Sequence, residues 1–235
     1  MTELVSDGTS HIVVDAVADA DLSIIAEACY DWPLLSGGSA VAMPLPALYR
    51  MAGLMNAEEG DAVAAAPEGG AIVLSGSCSA MTRQQVARFA QHHPSYRLDP
   101  VELARNGADA SHSWLADQDP NATVLLFATA EPKDVAAAQA ALGTGRAGEV
   151  VEQALSELAL KARERGTRRF VVAGGETSGA VSKALEAKRL DIGSEIAPGV
   201  PWTFTQSGGH RIALALKSGN FGGPYFFSEA LEKLG

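Results

Sequence analysis

The sequence predicts an α/β protein with a mostly parallel, Rossmann-like sheet that has helices on both faces. From residue 71 onward, short apolar runs typical of buried strands alternate with stretches of helical spacing. Glycine-rich turns follow several of those runs, as at strand-to-helix connections. Several short strands separated by Pro198-Gly199 and Ser207-Gly208-Gly209 predict an antiparallel edge near the C-terminus.

The first 55 residues precede this alternation. Residues 11–14 predict a short strand that ends at Asp15, and residues 19–31 predict a helix with apolar side chains at helical spacing. The Pro-, Gly- and Ser-rich residues 32–46 predict a loop with a short helical crossing. Residues 56–70 resemble a linker, so we place a domain boundary there, with residues 1–55 on one side and 56–235 on the other.

The elements after residue 70 follow from apolar periodicity and from the turn residues between them. The predicted strands are 71–74, 96–98, 123–128 and 168–173, with short strands within 191–216. The predicted helices are 82–92, 100–106, 111–117, 132–142, 148–165, 177–187 and 227–234.

Composition restricts the class of function. With 28 acidic and 18 basic residues the net charge is −10, and there is no basic stripe with interleaved aromatics, so nucleic-acid binding is disfavoured. No segment approaches the ~20 apolar residues of a membrane helix, and residues 1–11 lack the basic start of a signal peptide. The two cysteines, Cys29 and Cys78, form no disulfide framework and fit buried thiols in a reducing cytoplasm.

Two glycine-rich turns in the second half carry the main functional signal. GGETSG at residues 174–179 and KSGNFG at residues 217–222 each follow a predicted strand. Glycine lets the backbone approach a ligand closely, and a strand that passes through glycine into a helix directs free N–H groups at an anion. If both strands belong to one sheet, both turns lie at the same edge, which predicts a nucleotide site. Thr177 and Ser178 are placed to cap the following helix.

Two charged residues in these turns allow more than one interpretation. Glu176 could face Mg²⁺ or a ribose hydroxyl, or could only complement the dipole of the next helix. Lys217 suits phosphate oxygens, although a lysine at a strand end is usually solvated. Because a chain of this negative charge needs local positive potential to bind phosphate, the composition indicates Mg²⁺.

Two further motifs are less specific. In SGSCS, residues 75–79, the hydroxyls of Ser75, Ser77 and Ser79 could bind phosphate or a base, or the motif could be an ordinary helix start. GTGRAG, residues 143–148, matches G-x-G-x-x-G but follows a helical pattern, so we interpret it as a helix–helix connection. This interpretation disfavours a Rossmann-like oxidoreductase, and the absence of a Walker A sequence excludes a P-loop kinase.

Four motifs in order resemble the four-carbon acid sugar kinase family, and the resemblance covers nearly the whole chain. They are SGSCS with Thr82 and Gln85, then residues 174–181, 192–202 and 216–222. The resemblance implies an enzyme that phosphorylates 3-oxo-tetronates, threonate or erythronate with ATP. An alternative is a nucleotide-binding or regulatory module without kinase activity of its own.

The resemblance also implies a division of labour along the chain. Residues 1–55 are similar to the tail of an N-terminal sugar-acid domain, so that domain or a separate partner chain would supply the acceptor site, and a homodimer is left open. The catalytic base stays unassigned. The family's ATP contacts would fall on Ser75 or Ser77, on Gly174, Gly175, Glu176 and Thr177, and on Ser218, Gly219 and Asn220, with Lys217 added from its position.

Overall fold

The computed structural model describes residues 6–55 and 65–234. The chain divides into two compact units, Met1–Ala62 and Val63–Gly235, which are described separately. The predicted linker at residues 56–70 lies mostly outside the described residues.

The first unit contains helix α1 (Asp19–Cys29), a 3₁₀ turn (Ser39–Ala42) and helix α2 (Leu45–Met51). Helix α1 begins where the Asp21 carboxylate accepts hydrogen bonds of 2.9 Å from the backbone N–H groups of Val17 and Ala18. The strand predicted at residues 11–14 is wrong. That segment is irregular, because residues 6–55 contain no other strand with which its backbone could pair.

The second unit is built on a seven-stranded sheet in the order β2-β3-β1-β4-β7-β6-β5. Strands β2, β3, β1, β4 and β7 are parallel, and β6 and β5 continue the sheet antiparallel. The predicted fold class is therefore confirmed. The strands are β1 (Gly70–Ser75), β2 (Ser95–Arg97), β3 (Thr123–Phe127), β4 (Thr167–Ala173), β5 (Asp191–Ala197), β6 (Val200–Ser207) and β7 (His210–Lys217).

Helices cover both faces of this sheet. They are α3 (Ala80–Phe89), α4 (Pro100–Asn106), α5 (Asp109–Ala116), α6 (Pro132–Leu142), α7 (Thr144–Glu164), α8 (Gly175–Ala184) and α9 (Phe226–Leu234). Helices α4, α5, α7 and α8 pack on one face, where Ile72, Leu126 and Val172 point. Helices α3 and α9 pack on the other, against Val73, Val171 and Trp202. The two faces follow from the alternation of side chains along each strand.

Local chemistry explains where several helices begin. Asp99 caps α4 by accepting from Val101 N at 2.8 Å, and Pro100 starts the helix. Helix α7 begins at Thr144, four residues before the predicted start, because only Gly143, with φ +86°, interrupts the helical path between α6 and α7. Among the helices of residues 6–55 and 65–234, none combines the length and the apolar composition that a membrane-spanning helix requires.

Candidate functional site

The carboxyl ends of three neighbouring strands bring the glycine turns together. Ser75 at the end of β1 is in register with Ala173 of β4, and Ala173 is in register with Lys217 of β7. Gly174 N donates to Lys217 O at 2.9 Å, and Gly76 N donates to Ala173 O at 3.0 Å. The turns after β4 and β7 therefore lie side by side, as expected for parallel neighbours in one sheet.

Two glycines in these turns are required by the packing around Thr177. A Cβ at Gly76 would overlap the Thr177 hydroxyl, and a Cβ at Gly174, where φ is +128°, would lie 2.9 Å from it. Thr177 is buried at 4% exposure. The prediction that Thr177 and Ser178 cap the helix is wrong, since α8 begins at Gly175 with Gly174 as its N-cap.

The turns border a cleft of about 1060 Å³. Because Gly174 has no side chain to cap α8, the first N–H groups of that helix stay available to an anion in the cleft. Helices α4, α6 and α7 complete the wall. Of the predicted site residues, those that line the cleft are Ser77, Gly174, Gly175, Glu176, Thr177 and Gly219.

Ser75 lies below the cleft instead of in its wall. Its side chain is fully buried, and its hydroxyl is 2.7 Å from the Thr129 hydroxyl. Thr129 in turn donates to Ser77 O at 2.8 Å. Since this bond uses the Thr129 proton, Ser75 is the donor to Thr129. The pair holds the turn after β1 in place.

Lys217 also lies beneath the surface of the cleft. It is fully buried, and its ammonium donates to Thr82 Oγ1 at 3.0 Å and to Gly219 O at 2.6 Å. Thr82 donates to the same carbonyl at 2.9 Å. Burial lowers the pKa of Lys217 from 10.5 to about 8. Lys217 therefore positions the Gly219 backbone and holds its own positive charge beneath that backbone.

The rest of the KSGNFG turn is tied to helix α3. Asn220 Oδ1 accepts from Met81 N at 3.4 Å, and Gln85 Nε2 donates to Phe221 O at 3.1 Å and Gly223 O at 2.9 Å. Asn220 and Ser218 are exposed next to Gly219, but neither lines the cleft.

Two carboxyl groups meet at the cleft. Burial raises the pKa of Glu152 on α7, and the neighbouring Glu176 raises it further by its charge and by a side-chain hydrogen bond. Both residues line the cleft. Within residues 6–55 and 65–234, no group of three or more His, Cys, Asp or Glu side chains could hold a metal ion.

Sequence reasoning missed part of this site. Thr129 follows β3, the neighbour of β1, so its position after a predicted strand could have identified it. Gly145 and Gly148 belong to the dismissed GTGRAG segment, yet both line the cleft. Cys29 is buried as expected, whereas Cys78 is partly exposed and lines the cleft, so the prediction of two buried thiols is wrong for Cys78.

Comparison with known proteins identifies the same region as a nucleotide-binding domain. Residues 72–227 match the family model of the nucleotide-binding C-terminal domain. The 3-oxo-tetronate kinase of Cupriavidus necator is 51% identical over 232 residues, which cover 98% of this chain and 53% of that kinase. The 3-oxo-tetronate kinase of Pseudomonas fluorescens is 47% identical over 237 residues, which cover 100% of this chain and 54% of that kinase.

A crystal structure from Salmonella typhimurium, described as a candidate tRNA synthase, superposes with a TM-score of 0.80 at 38% identity. The match covers 99% of this chain and 55% of that one. The chain thus spans about half the length of the curated relatives it matches. The resemblance to the four-carbon acid sugar kinases is confirmed, and the chain belongs to the nucleotide-binding C-terminal domain family.

Proposed function

We propose that this chain is the ATP-binding part of a kinase that phosphorylates four-carbon sugar acids such as 3-oxo-tetronates. The observation that carries the proposal is the meeting of three glycine-containing turns, after β1, β4 and β7, at the cleft of about 1060 Å³. Open α/β sheets bind ligands outside the carboxyl ends of their strands. The names of the curated relatives support the choice of substrate. A net charge of −10 favours this function over tRNA binding.

The triphosphate would bind mainly to backbone groups. The N–H groups of Gly175, Glu176 and Thr177 begin helix α8, where both free donors and the helix dipole favour an anion. Ser77 and Gly219 face the cleft from the two neighbouring turns. Phosphoryl transfer depends chiefly on alignment and on neutralising charge, which such a set of fixed donors provides.

The remaining predicted contacts would have different roles. Ser218 is exposed beside Gly219 and does not line the cleft, so it is proposed to act through the position of the Gly219 backbone. Ser75, Lys217 and Asn220 are proposed to act by holding the turns, because their polar atoms bond to Thr129, to Thr82 and Gly219, and to Met81.

Mg²⁺ fits the donor set of the cleft. Glu176 supplies a carboxylate directly after Gly175, and Mg²⁺ is usually bound by one or two carboxylates together with phosphate oxygens and water. When bound, the ion would neutralise charge on the transferred phosphate.

The acceptor site is proposed to come from outside residues 56–235. Residues 1–55 would be the tail of a sugar-acid domain, and an N-terminal domain or a separate chain would supply the rest. The first unit supports this proposal because it exposes large apolar side chains, among them Val13, Val17, Leu34 and Met51. A cytoplasmic location, a homodimer and the lack of nucleic-acid or membrane binding remain predictions.

The second candidate is a nucleotide-binding or regulatory module without kinase activity of its own. It shares the observation that carries the first candidate, the meeting of three glycine-containing turns at the cleft. Both candidates require nucleotide in the cleft, so they share the first test.

We predict that Gly175→Val abolishes binding of Mg·ATP, measured by calorimetric titration. A Cβ at Gly175 meets no atom within 4 Å, so the valine projects into open space beside the donors and should not disturb the fold. The expected loss is about 100-fold or more, on the scale of ~3 kcal/mol.

Gly179→Val is the matched control. This glycine lies one turn later on α8, also has no atom within 4 Å of an added Cβ, and does not line the cleft. Equal affinity in the Gly175→Val variant, or no heat from the unmodified chain at millimolar Mg·ATP, would contradict the proposed site.

A further inference from the structure

We infer that the part of the cleft lined by helices α6 and α7 is a nucleoside subsite, in which an aromatic base lies over Gly145 and Gly148 of helix α7. The inference rests on the proposed function, because it takes the phosphates of the same nucleotide to lie at the glycine turns. It gives a role to the segment GTGRAG, which sequence reasoning assigned to a connection.

The size and lining of the cleft indicate a larger ligand than phosphate alone. Its volume of about 1060 Å³ is at the upper end of the ~300–1,000 Å³ of pockets that hold whole small molecules. Helices α6 and α7 supply small or apolar wall residues that suit the face of a flat ring, namely Val135, Ala137, Ala138, Gly145, Gly148 and Val151. Polar side chains of the same helices, Asp134, Gln139, Thr144 and Glu149, line the cleft beside them.

The space beside Gly145 and Gly148 is open, and the backbone conformation does not require glycine at either position. Both lie inside helix α7, and neither has a positive φ. A Cβ at Gly145 meets no atom within 4 Å, and one at Gly148 meets only Glu152 Oε1 at 3.9 Å. Since glycine weakens a helix relative to alanine, these positions carry a cost that a ligand over the helix would explain.

Contacts within the second unit connect this space to the phosphate turns. Gly148 is one helical turn, ~5.4 Å, before Glu152 on α7. Glu152 lines the cleft together with Glu176, which directly follows Gly175 and whose charge helps to raise the pKa of Glu152. The carboxyl groups thus lie between the phosphate turn and the two glycines. A carboxylate accepts hydrogen bonds from hydroxyl groups, so Glu152 suits the sugar that joins base to phosphate.

The test compares a ligand that has the base with one that lacks it. Mg·ATP and Mg·tripolyphosphate are titrated by calorimetry into the full chain and into Gly148→Leu. We expect Gly148→Leu to weaken the binding of ATP by roughly 50-fold. The leucine side chain would occupy the space of the base, so that a ring surface of about 100 Å² would no longer be buried. Binding of tripolyphosphate should be unchanged. The melting temperature should not fall either, since replacing a glycine within a helix favours the helix.

Ala140→Leu is the control, since Ala140 is an exposed residue of α6 that does not line the cleft. Equal ATP affinity in Gly148→Leu and in the unmodified chain would overturn the subsite and leave the proposed function intact. An unmodified chain that binds ATP no better than tripolyphosphate would also overturn it. A chain that binds neither ligand would overturn the proposed function, and the subsite with it.

Discussion

Lys217 is a charged residue that acts on the cleft from beneath it. Its ammonium is bonded to the Thr82 hydroxyl and the Gly219 carbonyl, and it has no ion-pair partner in the described part of the chain. Burial alone lowers its pKa to about 8. The Lys217 ammonium is therefore charged at neutral pH and loses its charge in a pH range that is easy to reach in solution.

We predict that the affinity for Mg·ATP falls as the pH rises from 7 to 9. Over this interval Lys217 loses its positive charge, which, if the proposed function is correct, attracts the triphosphate across the Gly219 backbone in addition to holding the turn. Lys217→Met should bind about ten-fold more weakly at pH 7 and should lack the pH step. Calorimetry at several pH values measures both. Lys233→Met is the control, because Lys233 bonds to Ile196 O and lies outside the cleft wall.

The same titration changes stability with the opposite sign. The pKa of Lys217 is about 8 in the folded chain and 10.5 in the unfolded one, so between these values the unfolded state binds more protons. The contribution of Lys217 to the free energy of unfolding is lowest below pH 8 and rises between pH 8 and 10.5. Thermal unfolding of Lys217→Met should lack this rise. Identical pH dependence in the variant and the unmodified chain would contradict the assignment.

At the scale of the elements, helix α3 holds the loop that follows β7. Thr82 bonds to the carbonyl of Gly219 and Gln85 to those of Phe221 and Gly223, and both side chains are almost fully buried. Three carbonyls of one loop are thereby satisfied from one face of a helix. The loop owes its conformation to these side chains as well as to its glycines.

We predict that Gln85→Met lowers the free energy of unfolding by about 1 kcal/mol, because two carbonyls in part-buried hydrogen bonds lose their donor while the volume is kept. The affinity for Mg·ATP should fall with it, since the loop includes Gly219. Urea unfolding and calorimetry are the measurements. Gln153→Met is the control, as Gln153 is exposed on α7 and bonds only to Glu157. A change no larger than that of the control would rule out the role of Gln85.

Elements with strong local signals could be predicted from sequence. The predicted bounds of α4 and α6 match the structure, because Pro100 and Pro132 each start a helix and a glycine ends it. Residues 11–14 show the limit of such signals. Their apolar pattern is that of a strand, but a strand also needs a neighbour, and residues 6–55 provide none.

The site likewise contains parts that could be predicted from the sequence and parts that could not. The turns after β1, β4 and β7 could be recognised because each is contiguous in sequence with its strand. The wall of α6 and α7 could not, since it is formed by tertiary packing, and the glycines of residues 143–148 follow a helix instead of a strand. Side-chain burial could not be predicted from the sequence either. Ser75 and Lys217 could therefore be assigned to the site, but not to positions beneath its surface.

At the scale of the whole molecule, the proposed function predicts that nucleotide binding and phosphoryl transfer are separable. Every residue that lines the cleft belongs to the unit Val63–Gly235. The Cupriavidus necator kinase is almost twice as long as the stretch it shares with this chain, which covers 53% of it. Nucleotide binding should therefore be a property of the second unit, whereas transfer should need the part of the kinase that has no counterpart here.

We predict that the chain phosphorylates 3-oxo-tetronate, threonate or erythronate only when combined with that unmatched part of the Cupriavidus necator kinase, expressed separately. The reason is that transfer requires the acceptor hydroxyl to be held in line with the γ-phosphate, which the added part would do. Mass spectrometry of the phosphorylated acid is the measurement, and a mixture with Gly175→Val is the control that should yield none. Product from the chain alone would contradict the divided acceptor site. No product from a mixture in which both parts are folded and Mg·ATP binds would favour the regulatory module over the kinase.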